Sequence, residues 1–167
     1  MLEKLSKPQQ LRNELQEKSD GGLTKRRAII GLSLLGIGAM TAVTLFQTGI
    51  IKHLPDPPLD SFDSDKVNSS DTAYALGTPD GTLSLASLAA NIPLAAFGGA
   101  NRAETMPLVP ILSAAKSTVE AAVAGWYFYQ MPAKEGKWCG YCITGALANF
   151  GIAALTIMEA KKAWKNL

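Results

Sequence analysis

Residues 28–51 read AIIGLSLLGIGAMTAVTLFQTGII, twenty-four positions without a single charge. A hydrocarbon core about 30 Å thick needs roughly 20 apolar residues of helix to cross it. This stretch is long enough. Its Gly and Ala content argues against a strand, and a lone spanning segment satisfies its own backbone only as a helix. Working outward, Pro79–Ala100, Leu108–Met131 and Trp138–Ala160 show the same near absence of charge. The mean hydropathy of +0.10 hides this segregation, because most charges lie between the stretches or at the ends. The expected fold is an all-α membrane protein, a four-transmembrane-helix bundle. Its helices fall at about 28–51, 79–100, 108–131 and 138–160, with a long outer loop between helices 1 and 2.

Charge placement sets the expected orientation. Lys25, Arg26 and Arg27 precede the first stretch, Arg102 sits between the second and third, and Lys161, Lys162 and Lys165 follow the fourth. The 52–80 loop carries Asp56, Asp60, Asp63, Asp65, Asp71 and Asp80 against Lys52 and Lys66. The positive-inside rule then puts both termini in the cytoplasm and the acidic loop outside. The Lys134-Glu135-Gly136-Lys137 turn also falls outside, with two lysines against the rule. The expected division is a cytoplasmic arm at 1–27, a membrane domain at 28–161 and a cytoplasmic tail at 162–167. A secretory signal would have a shorter apolar core and a small-residue cleavage site. Here the run ends in Phe46-Gln47-Thr48-Gly49-Ile50-Ile51-Lys52, so the segment is expected to be kept. The net charge of +2 comes without a basic run interleaved with aromatics, which argues against nucleic acid as a partner.

Within the arm, Ser6-Lys7-Pro8-Gln9 has the form of a capping box. Leu11 and Leu15 suggest a short amphipathic helix that Gly21-Gly22 would stop. It either lies on the membrane surface, docks on a partner, or serves as a solvated tether. The outer loop opens with three prolines in His53–Pro58, which forbid helix there. Thr78-Pro79-Asp80 should start the second helix, with Thr78 as N-cap. Pro93 should kink that helix. Lys116 and Glu120, one turn apart in the third stretch, should pair and face the bundle interior. They serve either as a structural clip or as a proton path or ligand contact. Asp63, Asp65, Asn68 and Asp71 read as a solvated acidic loop rather than a calcium site, so no metal is expected.

Cys139 and Cys142 are the only cysteines, and His53 is the only histidine. A zinc site lacks its further ligands. Haem attachment needs His after the second Cys, and residue 143 is Ile. Dithiol–disulfide exchange remains, beside the plainer alternative of a static disulfide. The pair stands at a helix start, where unpaired N–H groups and the helix dipole stabilise a thiolate. Spacing of three brings both sulfurs to one face. An oxidising outer compartment permits the disulfide, and the adjoining lipid dissolves quinones. Trp126, Tyr127, Phe128, Tyr129, Trp138 and Tyr141 gather at the same end. They read as an interfacial belt, as the wall of a pocket for a flat ring such as a quinone, or as both.

These features together resemble the vitamin K epoxide reductase family, from about Arg27 to Lys161. The resemblance rests on the helix layout, on Trp-Cys-Gly-Tyr-Cys at 138–142, and on the text of 46–58, 62–67 and 76–81, which looks like bacterial members. It implies a bundle around a quinone such as menaquinone or ubiquinone. Cys142 would pass electrons to the ring, and Cys139 would exchange with an incoming thiol. Asp80 would offer a polar contact to a ring oxygen, with Trp138 and Tyr141 beside the ring. The departures are equally specific. Family enzymes usually carry a second cysteine pair in the first outer loop, and residues 52–80 contain none. Ile143-Thr144-Gly145-Ala146 lacks the aromatic hydroxyl of animal enzymes. The expected function is a quinone-linked thiol–disulfide oxidoreductase in a bacterial inner membrane or its equivalent. Its electrons would come from an external thiol protein or small dithiol. The alternative is a non-enzymatic subunit of a larger respiratory or photosynthetic membrane complex.

Overall fold

The structure, a computed structural model, describes residues 7–18 and 20–167. Its elements are α1 (Pro8–Glu17), α2 (Gly21–Gln47), α3 (Ser64–Asn68), α4 (Asp80–Ala96), α5 (Arg102–Thr105), α6 (Leu108–Gln130) and α7 (Gly140–Trp164). A 3₁₀ turn at Asp71–Tyr74 follows α3, and a π-helical turn at Met131–Glu135 extends α6. The fold is all-α, as the segregation of apolar residues implies.

The expectation of four membrane-spanning helices is corrected to three. Among the described residues, only Gly21–Gln47, Leu108–Glu135 and Gly140–Trp164 are long and apolar enough to cross a bilayer. The second apolar stretch, expected to be helical over 79–100, is helical only from Asp80 to Ala96. Seventeen residues of helix rise about 26 Å, short of the roughly 30 Å hydrocarbon core. Two buried arginines meet the end of this helix. Arg26 of α2 donates to the carbonyls of Ala95 (2.6 Å), Ala96 (3.1 Å), Phe97 (3.1 Å), Gly98 (2.8 Å) and Gly99 (2.9 Å). Arg102 donates to those of Leu94 (2.5 Å) and Phe97 (2.8 Å), and pairs with Glu159 of α7 through two bonds of 2.7 and 2.6 Å. Unpaired C-terminal carbonyls carry the negative end of the helix dipole, and guanidinium groups satisfy both needs at once. Arg26 and Arg102, counted above as orientation signals, are therefore also internal capping groups.

Other boundaries shift for local reasons. Gly21-Gly22 does not stop the arm helix; it opens α2, with Asp20 as N-cap accepting from the Leu23 amide at 2.8 Å. That early start places Arg26 on the helix and within reach of α4. The far end of α2 stops at Gln47, and Gly49 turns the chain with φ of 77°. Pro79, not Thr78, is the N-cap residue of α4. α7 begins one residue after Cys139 and runs to Trp164. In the arm, Ser6 lies outside the described residues, and α1 is docked. Arg27 donates to the carbonyls of Leu15 (2.8 Å) and Lys18 (2.7 Å), and Glu14 accepts from the Ala100 amide at 2.9 Å.

The four long helices make an open ring. α2 packs along both α4 and α7, α7 packs along α6, and α6 meets α4 only lightly. In lipid, close packing rather than water exclusion holds helices together, and small residues permit it. A Cβ on Gly36 would come within 2.9 Å of Leu88 Cδ1 and 3.3 Å of Ala148 Cβ. One on Gly81 would come within 2.7 Å of Val43 and Gln47. These close approaches set α2 against α4 and α7. The gap left between α4 and α6 holds the site.

Candidate functional site

Cys139 and Cys142 form a disulfide across the first turn of α7, with Cα atoms 5.2 Å apart. Cys139 is the N-cap residue, and its Sγ accepts from the Cys142 amide at 3.1 Å. The Asn68 amide donates to the same Sγ at 3.2 Å. Two N–H donors aimed at one sulfur favour its anionic form when the bond is reduced. Cys139 is also fully buried, which differs from the outer, accessible position expected of it. Cys142 is half-buried and lines a cavity.

The loop between α2 and α4 covers the pair by its own hydrogen bonds. The Asp63 amide donates to Trp138 O at 3.0 Å, and the Trp138 amide donates to Ser61 O at 2.8 Å, in a short parallel bridge. Tyr141 donates its hydroxyl to Pro55 O at 3.0 Å. Three of the aspartates, Asp56, Asp63 and Asp65, fold the loop, while Asp60 and Asp71 stand exposed. Asp56 accepts from the Ser64 amide and hydroxyl, each at 2.6 Å, and Asp63 accepts from the Lys66 amide at 2.9 Å. Asp65 accepts from the Leu54 amide at 2.8 Å and meets His53 Nδ1 at 2.6 Å. The Asp65 hydrogen bond raises the His53 pKa above its ordinary value, with the charges of Asp65, Asp56 and Asp63 adding to it. Among the described residues no group of three or more His, Cys, Asp or Glu side chains gathers as a metal site. The two lysines of the 134–137 turn hold the loop. Lys134 donates to the Thr72 hydroxyl at 2.7 Å, and Lys137 donates to Asp60 O.

Under this cap, between α4 and α6, lies a cavity of about 320 Å³. Of the residues singled out from sequence, Cys142, Asp80, Glu120, Tyr127, Phe128 and Asn68 line it. Trp138 and Tyr141 are not among the lining residues; Trp138 stacks at a tilt on Phe128, with ring centres 5.2 Å apart, and both hold the cap. Asp80, outside the three spans, is the first residue of α4 and accepts from Gln47 Nε2 at 2.7 Å. Burial raises its pKa above the usual carboxylate value, and the Gln47 bond opposes that. Gln47 ties three elements together. It also accepts from the Gly81 amide at 3.1 Å and donates to Asn68 O at 3.3 Å.

Lys116 and Glu120 pair at 2.5 Å, as their spacing implies, and Glu120 lines the cavity. Sequence reading missed Gln47 altogether and took Asn68 only as an acidic-loop residue. Asn68 sits beside Cys139 across 71 positions of chain, so no local pattern marks it. Ser84, Ser87 and Asn91 did leave a signal: they share one helical face in an apolar stretch, the face that meets Glu120.

A half-buried disulfide sulfur facing a partly open, largely apolar cavity can accept electrons from a thiol and pass them to a ligand held there. No individual curated protein matches the chain. A family model does match, over residues 27–157, which covers the helix bundle, the loop between α2 and α4 and both cysteines. The chain belongs to the vitamin K epoxide reductase family.

Proposed function

We propose that the chain is a quinone-linked thiol–disulfide oxidoreductase whose redox centre is Cys139–Cys142. The observation that carries this reading is Cys142 in the wall of a cavity that reaches from the sulfur pair down between α4 and α6. Pockets for small ligands hold about 300–1,000 Å³ and are mostly apolar with a few placed polar groups. This one has mostly apolar walls that include Tyr127 and Phe128, with Asp80 and Cys142 at its capped end, and suits the head of a quinone such as a menaquinone or ubiquinone. A quinone there would take two electrons and two protons. The chain's own residues do the rest. Asp80 is placed to contact a ring oxygen, Cys142 faces the ring, and Trp138 and Tyr141 keep the loop closed over it.

In the thiol half, an external thiolate attacks Cys139 Sγ, and the disulfide breaks to release Cys142 as a thiolate. A second thiol of the same substrate attacks the mixed disulfide, releasing Cys139. Two thiols have become one disulfide, and the Cys139–Cys142 pair holds the two electrons until it is reoxidised. Because Cys139 is buried beneath Asn68, the cap must lift for the first attack. With no cysteine in residues 52–80, the electrons come from a separate thiol protein or small dithiol.

We place the sulfur pair and acidic loop outside a bacterial inner membrane, or its equivalent. Residues 1–27 and 162–167 are then cytoplasmic, on the charge asymmetry of the two ends. The second reading, a non-enzymatic subunit of a larger membrane complex, draws on the complete burial of Cys139. Purified protein separates the two. Dithiol-dependent quinone reduction should be present in the native chain and fall at least 100-fold in Cys142→Ala. Equal turnover in the variant would end the enzymatic reading.

A further inference from the structure

The cavity has a second polar level, well below the sulfur pair. Glu120, Ser87 and Asn149 line it. Each stands seven residues from a lining residue of the upper level: Glu120 from Tyr127, Ser87 from Asp80, Asn149 from Cys142. Seven residues are two helical turns, about 10 Å. The walls between the levels include Leu83, Val123 and Ala146.

Three hydrogen bonds at the lower level converge on Glu120. Lys116 Nζ donates to Ser87 O (2.9 Å), Asn91 Oδ1 (3.0 Å) and Glu120 Oε1 (2.5 Å), which accounts for its three protons. Asn91 Nδ2 donates to Glu120 Oε2 at 3.1 Å, and the Ser87 hydroxyl donates to Oε1. Asn149 Nδ2 donates to Gly145 O at 3.1 Å. The donors around Glu120 are thus turned onto its carboxylate. A carboxylate has about four acceptor positions, and three donors reach this one. What Glu120 offers the cavity is an acceptor. A quinone carbonyl is itself an acceptor and gains nothing from Glu120. A quinol hydroxyl is a donor.

We propose that Glu120, fixed by Lys116, Asn91 and Ser87, accepts a hydrogen bond from the ring hydroxyl of the reduced ligand, so that the cavity binds quinol in preference to quinone. The inference rests on the quinone reading of this cavity and adds a residue and a direction to it. Tighter binding of the reduced form raises the potential of the bound couple. A tenfold preference corresponds to about 30 mV for two electrons. That shift makes the ligand a better acceptor for electrons leaving the cysteine pair.

The test is binding, with the cysteines left oxidised. The full-length chain in nanodiscs is titrated anaerobically with 2,3-dimethyl-1,4-naphthoquinone and with its quinol, by equilibrium dialysis. The native chain should hold the quinol about tenfold more tightly. Glu120→Gln replaces an acceptor with an amide that can also donate, and should bring the ratio of the two dissociation constants near one. Lys116→Met combined with Glu120→Gln leaves no uncompensated charge, and decides the matter if the single variant fails to fold. A native preference lost in these variants supports the proposal. A ratio unchanged by them overturns it and leaves the quinone reading standing. Binding of neither form by the native chain overturns both.

Discussion

The two ends of α4 use charge in opposite ways. At the C-terminal end, Arg26 and Arg102 turn their guanidinium groups onto backbone carbonyls and onto Glu159, and none of the three lines the cavity of the site. At the N-terminal end, Asp80 is held by a single glutamine and opens onto a cavity roofed by a loop. The first arrangement is a lock. Each guanidinium nitrogen has an acceptor, both arginines are buried, and the segment beyond Ala96 is fixed to α2 and α7. The second is a site. Its polar groups are held from behind, and their remaining capacity faces a space. A charged group in a membrane protein marks a ligand contact only where the surrounding protein has left part of it unmatched.

The largest expected effect breaks the lock. Arg102→Met leaves the Glu159 carboxylate buried without its partner, a loss that typically costs about 3–5 kcal/mol. Thermal unfolding in detergent should show a large drop in midpoint, and Arg102→Met with Glu159→Leu should recover much of it. A single variant as stable as the native chain would show that this end is no lock. Next in size is the roof. Asn68→Ala removes the amide that contacts Cys139, for about 1 kcal/mol of stability. It should speed reduction of the disulfide by a water-soluble phosphine several-fold, read by mass after alkylation. An unchanged rate would mean that Asn68 does not guard the sulfur.

The smallest effect is the pH response of the roof. The folded-state pKa of His53 is raised by Asp65. The tie between His53⁺ and Asp65 is therefore fully present below about pH 6.5, the ordinary histidine value. It is lost as the pH rises through the raised folded value. Amide exchange at Leu54 and along α3, corrected for intrinsic rates, should show protection that declines over that interval. His53→Gln should flatten the dependence. The same slope in the variant would place the titrating group elsewhere.

How much of this could be read from the chain differs between these regions. Lys116 and Glu120 were legible as a pair because four residues of helix bring them together whatever the fold does. The cysteine pair at a helix start was legible for the same reason. Asp80 could be placed near a site only through family likeness. The short α4 was only partly legible. Gly98-Gly99 carries the stop, with Gly98 at φ 80° just past the C-cap Phe97, and the reading passed over it; the two arginines that cap the freed carbonyls arrive from α2 and from after the turn and leave no local mark. The burial of Cys139 was not legible, because it depends on a loop that Asp56, Asp63 and Asp65 fold through their own hydrogen bonds.

The sequence by itself determined that this is an integral membrane protein of helices, with two cysteines able to bridge on one helical turn. Apolar run length and i,i+3 spacing are local properties, and the bilayer and helix geometry act on them directly. Only the tertiary structure decided that three of the four long helices are long enough to span. It also decided that Cys139 is roofed while Cys142 faces a cavity, and that Glu120 stands two turns below it. Those outcomes depend on contacts between residues tens of positions apart, fixed by close helix approaches at Gly36 and Gly81 and by the weak meeting of α4 with α6.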